Sequence, residues 1–223
     1  MPSFPAPEVD AATPAARPLP APRIYWPSVT GFSEDGGADA DRFPSLQATK
    51  ARYGMRPPDS LRVFVEAVAA AEDQVLVLDD YLFNPPADQS QQRRYDQILA
   101  WLPDHLAANE VRLLTSDVGE RADQDDIRRL LGERAGRINR SSPLRRGQVS
   151  IEVRFTLGQT FPYVHDRFAI IDRELWHFGA TVGGLHGRVN AASRGWDAVA
   201  HDAVRFFNDA WAGDGDQKRG RHA

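Results

Sequence analysis

The 223-residue chain contains no cysteine. That excludes disulfides, thiolate nucleophiles and cysteine-ligated metals, and it suits a reducing, cytoplasmic setting. Long apolar runs are missing too: no stretch approaches the ~20 residues that span a bilayer, and no amphipathic anchor or lipidation motif is visible. The first residues lack the basic start and continuous apolar segment of a secretory signal, since Met1 to Arg23 is dominated by Pro and Ala. A soluble cytoplasmic protein with no membrane anchor is expected. Nor is there a strong excess of charge of either sign. The 27 basic and 31 acidic side chains leave a net charge of −4, which selects no partner class. The six histidines form no zinc pattern such as His-Glu-x-x-His, and no internal repeat is present.

What is present reads as one α/β domain with terminal extensions. Prolines at positions 2, 5, 7, 14, 18, 20 and 22 block helix formation, so residues 1–45 are expected to form a mostly disordered arm. Within it, Ile24 to Phe32 is an apolar cluster suited to a strand-like arm, and Ser33 to Asp41 an acidic loop. Pro57-Pro58-Asp59-Ser60 signals a helix start, followed by Leu61, Phe64, Val65 and Val68 at helical spacing. Val75 to Leu78 reads as a strand buried on both faces, leaving into Asp79-Asp80-Tyr81 at the rim of any pocket. A second helix is expected over Gln89 to Leu106, interrupted near Pro103. A second strand follows at Val111 to Thr115, then a third helix over about Asp123 to Ile138. Val149 to Phe155 alternates as a strand with one site-facing side. A closing helix spans Val199 to Trp211, and residues 213–223 form a polar tail. The alternation predicts an α-β-α sandwich around a mixed, largely parallel sheet, with the folded domain over 46–212. Ligands in such sheets gather beyond the carboxyl ends of the strands.

The chemistry concentrates in Tyr163 to Gly184, YVHDRFAIIDRELWHFGATVGG. On an extended strand His165 and Arg167 share a face, which sets a nucleophile or proton carrier beside a permanent cation. A neutral imidazole attacks phosphorus, an imidazolium protonates a leaving alkoxide, and a guanidinium holds two phosphate oxygens. Asp172 stands at the turn of the hairpin, where a role in holding it is expected, and Gly179 opens a tight backbone passage. His177 lies on the return strand. An arginine-rich span, with Arg128, Arg129, Arg134, Arg137, Arg140, Arg145 and Arg146 against Glu133, reads either as a footprint for a nucleic-acid backbone or as a solvated helix face.

This hairpin resembles the phospholipase D superfamily, whose signature is His-x-Lys, four residues, Asp, six residues, then Gly-Ser-x-Asn. His165, Asp172 and Gly179 fall in register, the β-α-β-α-β order before them is similar to one half of that fold, and the resemblance covers about Leu61 to Trp211. It implies a phosphodiesterase working through a phosphohistidine, with no metal or other cofactor. His165, Arg167 and Asp172 take the catalytic positions, and Arg167 replaces the family's Lys. Ala180 and Val182 stand where the family has Ser and Asn, leaving Arg167, Thr181 and His177 as the residues to bind substrate. Asp197 is the downstream acid placed to orient the histidine. Such enzymes use two histidines, so a single-copy chain implies a homodimer with two His165 side chains meeting across the axis. The expected substrate is a phosphodiester, nucleic acid rather than lipid. The alternative is a catalytically degenerate domain of the same fold that binds a phosphorylated ligand or a protein.

Overall fold

The computed structural model describes residues 18–26, 43–53, 60–85, 89–118, 121–141, 147–185 and 190–213. The expected acidic loop, the Pro57–Asp59 helix signal, Arg145, Arg146, His186 and most of the two tails lie outside the described residues. The elements in chain order are β1 (Arg23–Tyr25), α1 (Leu46–Tyr53), α2 (Arg62–Ala69), β2 (Gln74–Leu78), α3 (Gln91–Leu99), β3 (Glu110–Leu114), α4 (Arg121–Ser141), β4 (Ser150–Arg154), α5 (Leu157–Thr160), β5 (Phe168–Ile171), β6 (Glu174–Phe178), a 3-10 turn (Val182–Gly184), β7 (Ala192–Asp197) and α6 (Ala203–Ala212). The strands form one mixed sheet in the order β1-β7-β6-β5-β2-β3-β4.

The parallel part is smaller than the sequence suggests. Among the described residues only β2–β3 and β3–β4 pair in parallel, whereas β2–β5, β5–β6, β6–β7 and β7–β1 pair antiparallel. The α3 and α4 crossovers carry the chain stepwise from β2 to β4. It then returns to the other side of β2, and every strand from β5 onwards is added by a hairpin or a return arm. The reversal of strand order therefore lies between β2 and β5.

Alternation along the strands supplies two apolar faces, and both are covered. Val75, Val77, Val111, Leu113, Ala169, Ile171, Trp176 and Phe178 face one layer of helices, from which Phe64, Val68, Ile98, Ile127, Leu131 and Ile138 project. Leu76, Leu78, Leu114, Phe168 and Ile170 face the opposite side, closed by Phe207, Ala210 and Trp211 of α6 and by Leu157 of α5. The result is an α-β-α sandwich. Each large side chain buried in these layers contributes about 1.5–3 kcal/mol. Phe64 lies at the centre of the first layer, with edge contacts to Trp101, Trp176 and Phe178 at centroid distances of 5.2, 5.5 and 5.3 Å.

At the far edge, β1 pairs with β7 over Arg23↔Arg194 to Tyr25↔Ala192, so part of the expected arm does join the sheet. Arg194 forks onto the buried Glu174 carboxylate at 2.6 and 2.7 Å and lies over the Trp176 ring. Gly195 has φ 104°, and a Cβ there would fall 2.6 Å from Pro22 Cα, so only glycine lets the arm cross β7 so closely.

Candidate active site

The site forms where the strand order reverses, at the carboxyl end of β2. Antiparallel pairing sets Leu78 opposite Phe168, and Phe168 opposite His177. The start of β5, the end of β6 and the end of β2 therefore meet at one edge of the sheet. Asp79 follows β2 directly and keeps its backbone tied to β3 through Leu114 O at 3.0 Å. Its parity with Val75 and Val77 aims the carboxylate at the first helix layer, where it is fully buried.

Four elements converge on that carboxylate. Its Oδ1 accepts the Tyr81 N–H at 2.8 Å and its Oδ2 accepts the Val182 N–H at 2.7 Å. Arg167 brings Nε to 3.4 Å from Oδ1, with its guanidinium 5.0 Å from the centroid of the Tyr81 ring. Behind them Arg94, wholly buried on α3, donates Nη2 to Leu185 O at 3.1 Å and to Gln89 Oε1 at 3.4 Å. Burial pushes the Asp79 carboxyl up to about 6. The two backbone N–H groups and the charges of Arg167 and Arg94 pull the other way without cancelling it. Burial likewise lowers the Arg94 guanidinium to about 10, against the attraction of Asp79.

His165 stands outside this buried knot. It lies in the loop leading into β5 rather than on the strand itself, with its side chain 79% exposed. Its Nδ1 is 3.8 Å from Asp80 Oδ2, and Asp80 is anchored on the other side by the Ser116 hydroxyl, which donates to Oδ1 at 3.1 Å. Asp79 and Asp80, adjacent in sequence, thus face Arg167 and His165 respectively. The acid beside His165 is Asp80 rather than Asp197.

The remaining expected residues divide sharply. Asp197 lies at the opposite end of the sheet, paired with Glu174 across β6–β7, and its carboxylate binds Arg173 and the N–H groups of Val199 and Ala200. Those N–H bonds hold its pKa below the usual value. The spacing that suggested a histidine partner reflects the turn into α6 instead. Asp172 is also at that far end, as β5 is antiparallel to β2. It adopts φ 54°, and its carboxylate accepts the N–H groups of Glu72, Asp73 and Gln74 at 2.8 to 3.2 Å, which fastens the hairpin turn to the start of β2. Its expected holding role is seen, at a distance from His165. His177 has the parity of Phe168 and projects to the opposite sheet face from Arg167, where its Nε2 lies 2.5 Å from Asp166 Oδ1.

The Gly179–Val182 segment does reach the site, by its backbone. Gly179 N–H bonds Ala191 O at 2.8 Å, and Ala180, Thr181 and Val182 are all buried. The side chains of Ala180 and Val182 are apolar and buried, and the group this segment offers to the site is the Val182 N–H. Arg94 and that N–H escaped the sequence reading: an arginine in QQRRYDQ looks solvated, and a main-chain donor leaves no mark in composition. The arginines of α4 are largely neutralised locally. Arg128 pairs with Asp125, Arg129 with Asp126 and Glu133, and Arg134 with Asp104. Among the described residues no group of three or more His, Asp or Glu lies together as a metal site, and no helix is long and apolar enough to cross a membrane.

No family model matches the chain, and no curated protein matches it. Among solved structures it is similar to TrmBL2, an archaeal chromatin protein whose structure is described as showing a novel mode of DNA binding. The identity is 14%, the TM-score 0.36, and the match covers 69% of this chain. The chain spans 48% of that structure's length, and a score at this level fixes neither fold family nor function. The fold and the site define an α/β protein with a three-layer sandwich and a polar site at the carboxyl end of β2.

Proposed function

We propose that the chain is a phospholipase D-like half-domain that hydrolyses a phosphodiester through a phosphohistidine at His165. The observation that carries this reading is the convergence of His165 and Arg167 on adjacent acids, Asp80 and Asp79, where the strand order reverses. Asp80 beside Nδ1 favours the tautomer protonated there, which leaves the Nε2 lone pair directed outwards for attack on phosphorus. Arg167 has its Nε turned towards Asp79, so its terminal nitrogens remain to hold two non-bridging oxygens. In the first step the bond from Nε2 to phosphorus forms, the ester bond breaks, and a second histidine gives its proton to the leaving alkoxide. Water then attacks the phosphohistidine, surrendering a proton to that same histidine and restoring His165. In a homodimer the second histidine is His165 of the other protomer, and the exposure of His165 suits a site completed by another copy.

A second reading has its own support. Ala180 and Val182 fill the core where the signature has Ser and Asn, so two side-chain donors for the transition state are lacking, each worth roughly a hundredfold in rate. A phosphate-binding domain without turnover would keep Arg167 and dispense with them. Incubation with a chromogenic phosphodiester and with single- and double-stranded DNA in EDTA separates the two. Product release abolished in His165→Ala, reduced in Asp80→Asn and unchanged in Asp197→Asn supports the enzyme. Equal release by wild type and His165→Ala rejects it. Sedimentation completes the test, because an active strict monomer contradicts the two-histidine scheme.

A further inference from the structure

One strand along the same sheet edge, beyond the carboxyl ends of β3 and β4, an open cleft of about 500 Å³ is lined by Asp117, Gln124, Arg128, Phe155, Thr156 and Gln159. It is linked to the His165 site through Asp80 and Ser116. Asp80 faces His165 with one carboxylate oxygen and accepts the Ser116 hydroxyl with the other, and Asp117 is the next residue. Gly158 makes this closeness possible, since a Cβ there would lie 2.6 Å from Ser116 Oγ. Its absence lets α5 press onto the end of β3 and brings the Gln159 amide to Asp117.

The lining chemistry is specific. Asp117 accepts the Gln124 amide at Oδ1 at 3.1 Å and the Gln159 amide at Oδ2. A carboxylate has about four lone-pair sites, and each glutamine carries a second N–H and a carbonyl, so this trio still offers donors and acceptors side by side. The Arg128 guanidinium lies over the Phe155 ring at 5.0 Å and is neutralised by Asp125 at 2.8 Å, which presents a flat plane rather than a free cation. With Asp117 in the lining, the cleft holds no excess positive charge and does not suit a second phosphate. A planar heterocycle with alternating donors and acceptors on its edge does suit it, through amide pairing and stacking on the guanidinium. The volume accommodates a nucleoside.

We propose that this cleft is the nucleobase subsite of the His165 site, so that the phosphodiester is a nucleotide ester whose base lies between α4 and α5 while its phosphate rests on Arg167. The assignment builds on the phosphate-site reading above, and the test keeps the two apart. Full-length protein in EDTA is titrated by calorimetry with nucleoside monophosphates, ribose 5-phosphate and glycerol phosphate. The nucleotides are expected to bind about tenfold more tightly than ribose 5-phosphate, the scale of one or two added hydrogen bonds. Gln124→Ala with Gln159→Ala should bring nucleotides down to the level of ribose 5-phosphate while leaving the latter unchanged, which also certifies the fold. Arg167→Ala should weaken all three alike. Equal affinity for nucleotide and ribose 5-phosphate, a preference that survives the double glutamine variant, or no binding of any probe each overturns the subsite. A nucleotide preference that persists in a protein without turnover retains the subsite and removes only the hydrolytic role.

Discussion

Replacing Asp79 by Asn separates two opposite expectations about a buried carboxylate. The contacts alone suggest a severe loss, because the carboxylate meets two N–H groups and the Arg167 guanidinium. The energetics run otherwise. Burial raises the Asp79 pKa from 3.8 to about 6, so the ionised form is penalised by about 3 kcal/mol relative to the unfolded chain. A carboxyl that holds its proton better when folded contributes fully to stability below the unfolded value of 3.8, and that contribution is lost as pH rises through about 6. Asn carries no charge and escapes the penalty. It offers one oxygen in place of two, so either the Tyr81 or the Val182 N–H loses its acceptor, at about 1–3 kcal/mol independent of pH. Asp79→Asn should therefore be less stable than wild type near pH 4, and the gap should close or reverse near pH 7.5, moving by roughly 2–2.5 kcal/mol between the two. Urea unfolding at several pH values, followed by tryptophan fluorescence, measures the difference directly, and other titrating groups cancel between the two proteins. A gap that widens towards neutral pH would refute the reasoning, because the site would then favour the carboxylate it is argued to penalise. The reward for retaining Asp79 is functional, since Arg167 loses its charged partner in the variant.

Two further substitutions test the frame around the site. Asp172→Ala removes the acceptor for three backbone N–H groups and leaves alanine at φ 54°, so denaturant titration should show a loss of about 2–4 kcal/mol, while any turnover per folded molecule at the other end of the sheet is unchanged. Gly183→Ala would place a Cβ 2.4 Å from Trp101 Cζ2 at φ 81°, and thermal melting should show a loss above about 2 kcal/mol with altered tryptophan emission.

The legible parts of the fold are those that announce themselves by periodicity. Val75 to Leu78 and the Ile127–Leu131–Ile138 stripe appear in the structure nearly as their spacing predicts, and α3 ends at Leu99, ahead of Pro103. β7 did not announce itself, because ASRGWD carries polar groups and a glycine in the middle of a strand. Its order comes from partners far away in sequence: Glu174 and Trp176 for Arg194, and Pro22 for Gly195. The site shows the same division. His165, Arg167 and the Asp79–Asp80–Tyr81 exit were visible as residue types at the right kind of position. That Asp80 and not Asp197 lies beside His165 depends on which end of the sheet each occupies, and spacing along the chain carries no such information. His177 was misplaced by proximity in sequence, since one step of strand parity moves it through the sheet.

The pairing of β1 with β7 has a consequence for how the chain is made. Arg23 leaves the ribosome long before its partner Arg194, which belongs to the last strand of the sheet. Until that strand arrives, the arm has nowhere to dock, and loop-closure entropy opposes its attachment to the end. The sheet is therefore sealed last along this seam. A chain lacking everything up to and including Tyr25 would complete its remaining strands while leaving the outer edge of β7 bare, an open ladder that invites a strand from another molecule. The arm thus works as a stopper against edge-to-edge association, and its quality is set by the small space left at Gly195.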